Sequence, residues 1–316
     1  MRHLPVVLAA LTLVVLAACS SDESEPGGSS GLGGSSGLGG SSGAPGSSSG
    51  ASGSGGAGSS SGTNGSSSSG DGSASGGDDA YRRTVMADTP VAYWRLGDAS
   101  GMPARDEVGN AHPGTFYGAV EHGVAGIVPE NGAARFDGTT GCIGVGEYFR
   151  FPGRVAFSVE GWVKLSEYGS EGTRMVSTEG YPTGIRSGWN LSASYGDNTG
   201  YPYFDAWSSE GTDNQYVTGA YASTSPDEGK LPLGEWSHVV GTFDDEAEEI
   251  WVNGVLRNRV RQSTLNHPDA GTLTIGCAGS GSGPIYLGAK GALDEIAIYD
   301  KVLSPERIAA HYAAGR

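Results

Sequence analysis

The chain has 316 residues and a formal net charge of −16, with 19 Lys and Arg against 35 Asp and Glu. Its 56 glycines are roughly two and a half times the usual share, and residues 20–79 hold 21 of them. The acidic balance argues against a nucleic-acid binder, which needs clustered Lys and Arg. Beyond residue 79 there is no run of about 20 apolar residues, so no transmembrane helix is expected there.

In chain order, residues 1–19 come first. A basic start at Arg2, an apolar stretch from Leu4 to Ala18 and small residues at its end read as an export signal. The stretch is too short for a comfortable membrane span. Leu16-Ala17-Ala18-Cys19 resembles the lipobox of bacterial lipoproteins. The resemblance implies cleavage before Cys19 and a diacylglycerol on its thiol. Each buried methylene contributes about 0.8 kcal/mol, and stable attachment needs more than one acyl chain. Simple secretion with cleavage after Ala18 is the plainer alternative. Ser20, in place of Asp, implies by the same resemblance sorting to the outer membrane. The expected localisation is therefore exported and lipid-anchored, touching the bilayer through Cys19 alone.

Residues 20–79 are Gly/Ser repeats whose only large apolar side chains are Leu32 and Leu38. Such a segment cannot bury enough surface to offset its ordering entropy, so a disordered linker is expected. As a flexible coil it spans roughly 40–45 Å on average, which makes it a tether. It carries six acids and no base.

Residues 80–316 are expected to form one large all-β domain. They carry 18 bases against 29 acids, a sign that suits solubility and cation binding and repels anionic polymers. Apolar and polar residues alternate in short runs broken by Gly, Asn, Asp and Pro, the pattern of an antiparallel β-sandwich. Strands are expected over 91–96, 134–136, 157–163, 189–195, 201–207, 215–221, 236–243, 249–252, 255–256, 273–276, 285–287 and 291–299. Trp162 faces away from Phe157, Val159 and Val163, so both faces of that strand are expected to be covered. Asn253-Gly254 between apolar runs predicts a type I′ hairpin, whose central residues both need positive φ. Only the C-terminal end reads as helical: Ser304 caps, Pro305 fits the first position, Ile308, Ala309 and Tyr312 share a face, and Gly315 terminates.

Several segments together resemble the laminin-G-like jelly roll of the concanavalin A-like lectin/glucanase superfamily. They include Ala92-Tyr93-Trp94-Arg95-Leu96-Gly97-Asp98, Ala134-Arg135-Phe136-Asp137-Gly138, Phe157-Ser158-Val159-Glu160-Gly161-Trp162-Val163, Trp236-Ser237-His238-Val239-Val240, Trp251-Val252-Asn253-Gly254 and the closing run 291–306. The resemblance covers nearly all of 85–315 and implies two stacked antiparallel sheets with one short C-terminal helix.

Four sets of site residues are expected. A structural Ca²⁺, which wants six to eight oxygens, is expected at Asp106, Asn110 and Asp294. Backbone carbonyls around Asn110 and His112 would complete it, and the family resemblance brings Asp294 to that loop. The alternative is that Asp106 and Asn110 build an Asx-type turn and Asp294 bonds backbone amides. A sugar-binding surface is expected in the aromatic stretch 189–221, at Tyr195, Asp197, Asn198, Tyr201, Tyr203, Asp205 and Trp207. Trp189, Tyr216 and Tyr221 lie nearby, and about half of these rings are expected in the core. Aromatic planes match the C–H faces of sugars, and amides or carboxylates match their hydroxyl edges. Cys142 and Cys277 remain after Cys19 is lipidated and are expected to pair, or else to stay as buried thiols. Finally, catalysis is not expected. The Glu-x-Asp-x-x-Glu pattern of the superfamily's glucanases is missing, as are a Gly-x-Ser-x-Gly elbow and a zinc helix. The acidic run 244–249 reads as a solvated turn, and His238 as a packing residue. The expected partner is a glycan or a cell-surface protein.

Overall fold

The computed structural model describes residues 79–169, 172–180, 187–194, 199–207, 220–221, 229–261, 271–279 and 286–316. The export signal, Cys19 and all of the expected linker except Asp79 lie outside the described residues.

The first described element is a helix that the sequence reading missed, α1 (Ala80–Ala87). Asp79, expected as the last linker residue, caps it by accepting a hydrogen bond from Arg82 N at 2.8 Å. Eight residues are too few to hold a helix by propensity. Burial of Tyr81 and Val85 on one face supplies the missing stability.

Two antiparallel sheets follow. The first holds, side by side, β13 (Val255–Arg261), β12 (Ala247–Val252), β11 (Ser237–Phe243), β6 (Phe157–Leu165), β15 (Lys290–Tyr299), β4 (Gly132–Asp137) and β3 (Val120–Ala125). The short β1 (Ala92–Trp94) also pairs with β15. The second runs β10 (Ala220–Tyr221), β9 (Tyr203–Trp207), β8 (Gly188–Ser194), β7 (Thr173–Ser177), β14 (Leu273–Ile275), β5 (Cys142–Gly146) and β2 (Thr115–Tyr117). The all-β sandwich is as expected.

Alternation along the strands builds the core. Phe157, Val159, Val163 and Leu165 of β6 point between the sheets and meet Trp189, Leu191, Phe204 and Ile275 from the second sheet. Phe157 stacks with Phe243 at 5.5 Å and lies 5.2 Å from Trp189. Such ring pairs contribute about 0.5–1.5 kcal/mol beyond their burial. Trp162 takes the other face, as expected. It is sealed by Tyr81, whose hydroxyl accepts from Trp162 Nε1 at 2.9 Å, and by the stacked ring of Tyr312. Asn253 and Gly254 have φ of 52° and 76° and close the expected hairpin, with Val252 opposite Val255. Cys142 and Cys277 form the expected disulfide, with Cα atoms 5.4 Å apart.

The C-terminal helix α2 (Pro305–Ala314) begins at a Ser304 cap. Ile308 is buried and Tyr312 packs against the same cluster, as expected, but Ala309 is exposed and His311 is buried in its place. Strands β2, β3, β5 and β7 were not anticipated; β3 alternates half-buried with exposed residues and carries Gly123, which hides its period. The strand expected over 285–287 is only an isolated bridge between Tyr286 and Ala278, with Ile285 outside the described residues. The expected acidic turn is shorter than its charge run: Ala247 starts β12, and Glu248 is buried and accepts from Ala206 N at 2.9 Å.

Candidate functional site

The outward faces of the two sheets differ in chemistry. On the first sheet, α1 and α2 lie over an apolar layer of Tyr81, Val85, Trp162, Trp251, Tyr299 and Ile308. On the second sheet, the residues that alternate with the core are polar. In β8, Trp189, Leu191 and Ala193 enter the core while Asn190, Ser192 and Ser194 turn the other way. In β9, Phe204 and Ala206 enter the core and Tyr203 and Asp205 do not.

Strand register assembles these polar groups into one network. Asn190 lies opposite Asp205 and Ser192 opposite Tyr203 across β8 and β9, while Arg174 of β7 lies opposite Ser192. The Arg174 guanidinium donates to Glu179 Oε2 through Nε at 3.0 Å and Nη2 at 2.8 Å, and to Ser192 Oγ through Nη1 at 2.9 Å. Nη1 also donates to the Tyr203 hydroxyl, and the guanidinium carbon sits 5.3 Å from that ring's centre. Ser192 Oγ donates to Asn190 Oδ1 at 2.8 Å, and Asn190 Nδ2 donates to Asp205 Oδ1. All six side chains are buried. Burial weakens the Arg174 cation, but Tyr203, Glu179 and Asp205 outweigh it and hold the proton more tightly than usual. Burial pushes the Tyr203 hydroxyl up to about 12, helped by Asp205 and Glu179 and opposed by Arg174 and Ser192. The result is a rigid polar floor with fixed donors and acceptors.

Of the residues expected to bind sugar, Tyr203 and Asp205 are buried members of this network, and its other members Arg174, Glu179, Asn190 and Ser192 were not anticipated. The polar half of a period-two pattern around Met175, Trp189 and Leu191 was the available signal. Tyr201 is half-buried just before β9, and Trp207 ends that strand opposite Gly188. Trp189 is core, with its Nε1 donating to Phe149 O at 2.7 Å. Tyr195, Asp197, Asn198 and Tyr216 lie outside the described residues.

The residues expected to hold calcium have their oxygens turned to N–H donors. Asp106 Oδ1 accepts from Tyr93 N and Val108 N at 3.0 and 2.9 Å, and Oδ2 accepts from His112 N at 3.1 Å with His112 Nδ1 at 3.1 Å. Asn110, with φ of 53°, accepts at Oδ1 from Asp106 N at 3.3 Å. The His112 carbonyl accepts from Trp94 Nε1 at 2.8 Å. Asp294 is buried and accepts from Ile127 N at 2.8 Å. In this arrangement, of the Asx type, the side-chain oxygens of Asp106, Asn110 and Asp294 accept from N–H donors. Among the described residues no group of three or more His, Cys, Asp and Glu is placed to hold a metal ion.

Two further buried networks lie on the outward face of the first sheet, near the helices. Glu160 of β6 accepts from Tyr299 Oη at 2.5 Å, and His238 Nε2 and His311 Nδ1 each lie 2.9 Å from its oxygens. His311 Nε2 reaches Asp88 Oδ2 at 2.8 Å, where Arg307 Nε also donates at 2.7 Å. In the second network a bulge in β15 puts Glu295 at φ of 54° and sends both Asp294 and Glu295 away from the core between Leu293 and Ile296. Arg95 Nη2 bridges Glu295 Oε1 at 2.8 Å and Asp79 Oδ2 at 2.5 Å, and Tyr93 Oη donates to Glu295. His238 is thus a buried partner of Glu160, the packing role expected for it.

A sequence profile of the family Laminin_G_3, of the concanavalin A-like lectin/glucanases superfamily, matches residues 137–309. The pentraxin-related protein PTX3 of Homo sapiens is 33% identical over 102 residues, 29% of this chain and 27% of that protein. Its Mus musculus counterpart is 34% identical over 89 residues, 25% of this chain and 23% of that protein. The chain therefore spans about a quarter of the length of the curated relatives it matches. Among solved structures, the binding domain of Paraclostridial Mosquitocidal Protein 1 has a TM-score of 0.53 at 14% identity, covering 70% of this chain and 51% of that one. Domain 4 of AbnA, a GH43 extracellular arabinanase from Geobacillus stearothermophilus in complex with arabinotriose, has a TM-score of 0.49 at 19% identity, covering 71% of this chain and 98% of that one. The family and the fold support a carbohydrate- or protein-binding module.

Proposed function

The chain belongs to the concanavalin A-like lectin/glucanases superfamily, and from that premise we propose that it is a non-catalytic module that binds carbohydrate on the outward face of its second sheet. One observation carries the reading. The first sheet closes much of its outward face with helices and apolar side chains, while the second concentrates Arg174, Asn190, Ser192, Tyr203 and Asp205 on its own. These groups are buried and bonded to one another, so they form a rigid polar floor under the face rather than its outermost contacts, and aromatic planes at its edge, such as the half-buried Tyr201, suit the C–H faces of sugars. Non-catalytic action is supported by the state of the acids. A glycosidase needs a protonated carboxylic acid paired with a second carboxylate, whereas Glu179 is engaged by Arg174 and Asp205 by Asn190.

Anchoring through Cys19 at the outer membrane is part of the proposal, supported by the lipobox-like Leu16-Ala17-Ala18-Cys19. The Gly/Ser segment after it acts as a tether that raises the effective concentration of the domain near surface partners. The second reading, adhesion to a surface protein, is supported by the same family membership.

A glycan array probed with the wild-type chain and with the Tyr203→Phe and Trp207→Ala variants tests the proposal, alongside an assay for soluble sugar released from polysaccharides. Binding that weakens in the variants, with no sugar released, is expected. Undiminished binding in both variants, or turnover of a polysaccharide, contradicts it.

A further inference from the structure

A cleft lies on the outward face of the first sheet, beyond the helices. Arg135 of β4 and Lys164 of β6 both lie opposite Ala292 of the intervening β15. Their backbone positions therefore stand two strand spacings apart, about 9–10 Å, across an alanine that leaves the space between the two side chains open. Leu233 and Gly234 form a wall, and the cleft measures about 270 Å³. That wall is pinned at both ends, by Leu231 N donating to Gly200 O at 2.9 Å and Gly234 N donating to Leu165 O at 2.8 Å. A Cβ at Gly234 would meet nothing within 4 Å, so the wall leaves the mouth clear.

The charges are unusual for so acidic a chain. Lys164 has no carboxylate partner among the described residues. Arg135 donates to Glu121 Oε2 at 3.0 Å, with side-chain exposures of 50% and 60%. A pair that exposed contributes about 0–1 kcal/mol and leaves most of the five guanidinium donors available. The next cation on this face, Lys290, is already held by Glu167 at 2.6 Å.

We infer that this cleft is a binding site for a single carboxylate-bearing sugar residue, with the carboxylate read by Lys164 and Arg135 and the sugar's C–H face laid on Ala292 and Leu233. Three features select that ligand. The volume lies just under the roughly 300–1,000 Å³ of pockets for drug-sized ligands, which suits one residue. The net charge of −16 repels polyanions. At physiological salt, however, that repulsion is screened beyond about 8 Å, so an isolated acid feels the local pair. The exposed Leu233 beside the cations offers an apolar surface that a bare inorganic anion does not use.

The test is calorimetric titration of the full chain with glucuronate, glucose and acetate, in wild type and in the Lys164→Gln and Ala292→Leu variants. Glucuronate should bind more tightly than either glucose or acetate. Lys164→Gln should weaken it about tenfold, the equivalent of one charge-assisted hydrogen bond. Ala292→Leu, which fills the cleft, should abolish binding. Thermal melting of each variant reports folding, and Lys164→Gln, on the surface, keeps the test open if Ala292→Leu does not fold. The inference is overturned by glucuronate affinity unchanged in Lys164→Gln, by acetate binding as tightly as glucuronate, or by a glutamate-rich peptide competing with equal strength. With Tyr203→Phe titrated alongside, glucuronate binding that survives Lys164→Gln but is lost in Tyr203→Phe also overturns it, by locating the acid on the second sheet.

Discussion

Glu160 on β6 and His311 on α2 meet at 2.9 Å through the ring Nδ1, both closed to solvent. The contact fastens the C-terminal helix to the centre of the first sheet, and Asp88 on the other ring nitrogen extends the fastening to the end of α1.

This pair makes stability depend on pH. Burial disfavours the His311 cation, but Glu160 and Asp88 outweigh it and raise its pKa above the ordinary 6.5. Its contribution is therefore complete below 6.5 and is lost as pH rises through the raised value. Glu295, raised mainly by burial from 4.5 to about 7, holds its proton longer in the folded state, so stability also falls as pH climbs through that interval. Burial opposes the Glu160 carboxylate, but His311 and His238 hold its pKa below the ordinary 4.5, so its contribution is lost as pH falls below that value. Melting curves across pH should peak on the acidic side, at about pH 4.5–5, where the gain from Glu160 and the loss from Glu295 balance and His311 is fully charged. A Tm that rises steadily from pH 6 to pH 9 would contradict the arrangement.

Breaking the fastening should be costly. His311→Ala leaves the buried Glu160 and the half-buried Asp88 with fewer partners, a loss of about 3–5 kcal/mol by analogy with broken buried ion pairs. Denaturant unfolding of the variant measures it, and a change under 1 kcal/mol would remove His311 from this role.

The start of the described fold is equally specific. A chain shortened to begin at Asp78 should melt with the wild type. One beginning at Ala80 loses the α1 cap and a partner of Arg95 together, and should be less stable by about 1–2 kcal/mol. Equal melting temperatures for the two shortened chains would show that Asp79 does no structural work.

Much of the architecture was legible because alternation survives in single strands: β6 and β15 display their core faces directly, and Asn253-Gly254 displays its turn. Tyr203 and Asp205 were legible for the same reason. What escaped needed tertiary context. Helix α1 has eight residues and gains its stability from Trp162, more than seventy residues away. Arg174 on a strand looks like an ordinary solvent-facing residue until register sets it against Ser192 and Tyr203. The bulge that directs Asp294 and Glu295 to one side leaves no mark in composition.

The Asp106 geometry carries its own test. With both carboxylate oxygens engaged by Tyr93, Val108 and His112, melting in the presence of chelator should match melting in calcium. A chelator-induced fall of several degrees would mean that the loop rearranges around the ion.

The Cys142–Cys277 bridge closes a separation of 135 residues between β5 and the end of β14. Its reduction, or replacement of both cysteines by Ser, should lower stability by about 2–4 kcal/mol while keeping the fold. Unchanged denaturant midpoints in the double variant would count against a stabilising role.

The central claim is that the second sheet, and not the helix-covered first sheet, meets the main carbohydrate partner. Amide hydrogen exchange of the full chain, with and without the tightest glycan found on the array, addresses it directly. Slowed exchange concentrated in residues 188–194 and 203–207 is the predicted result; protection confined to α1, α2 and the strands beneath them would contradict it.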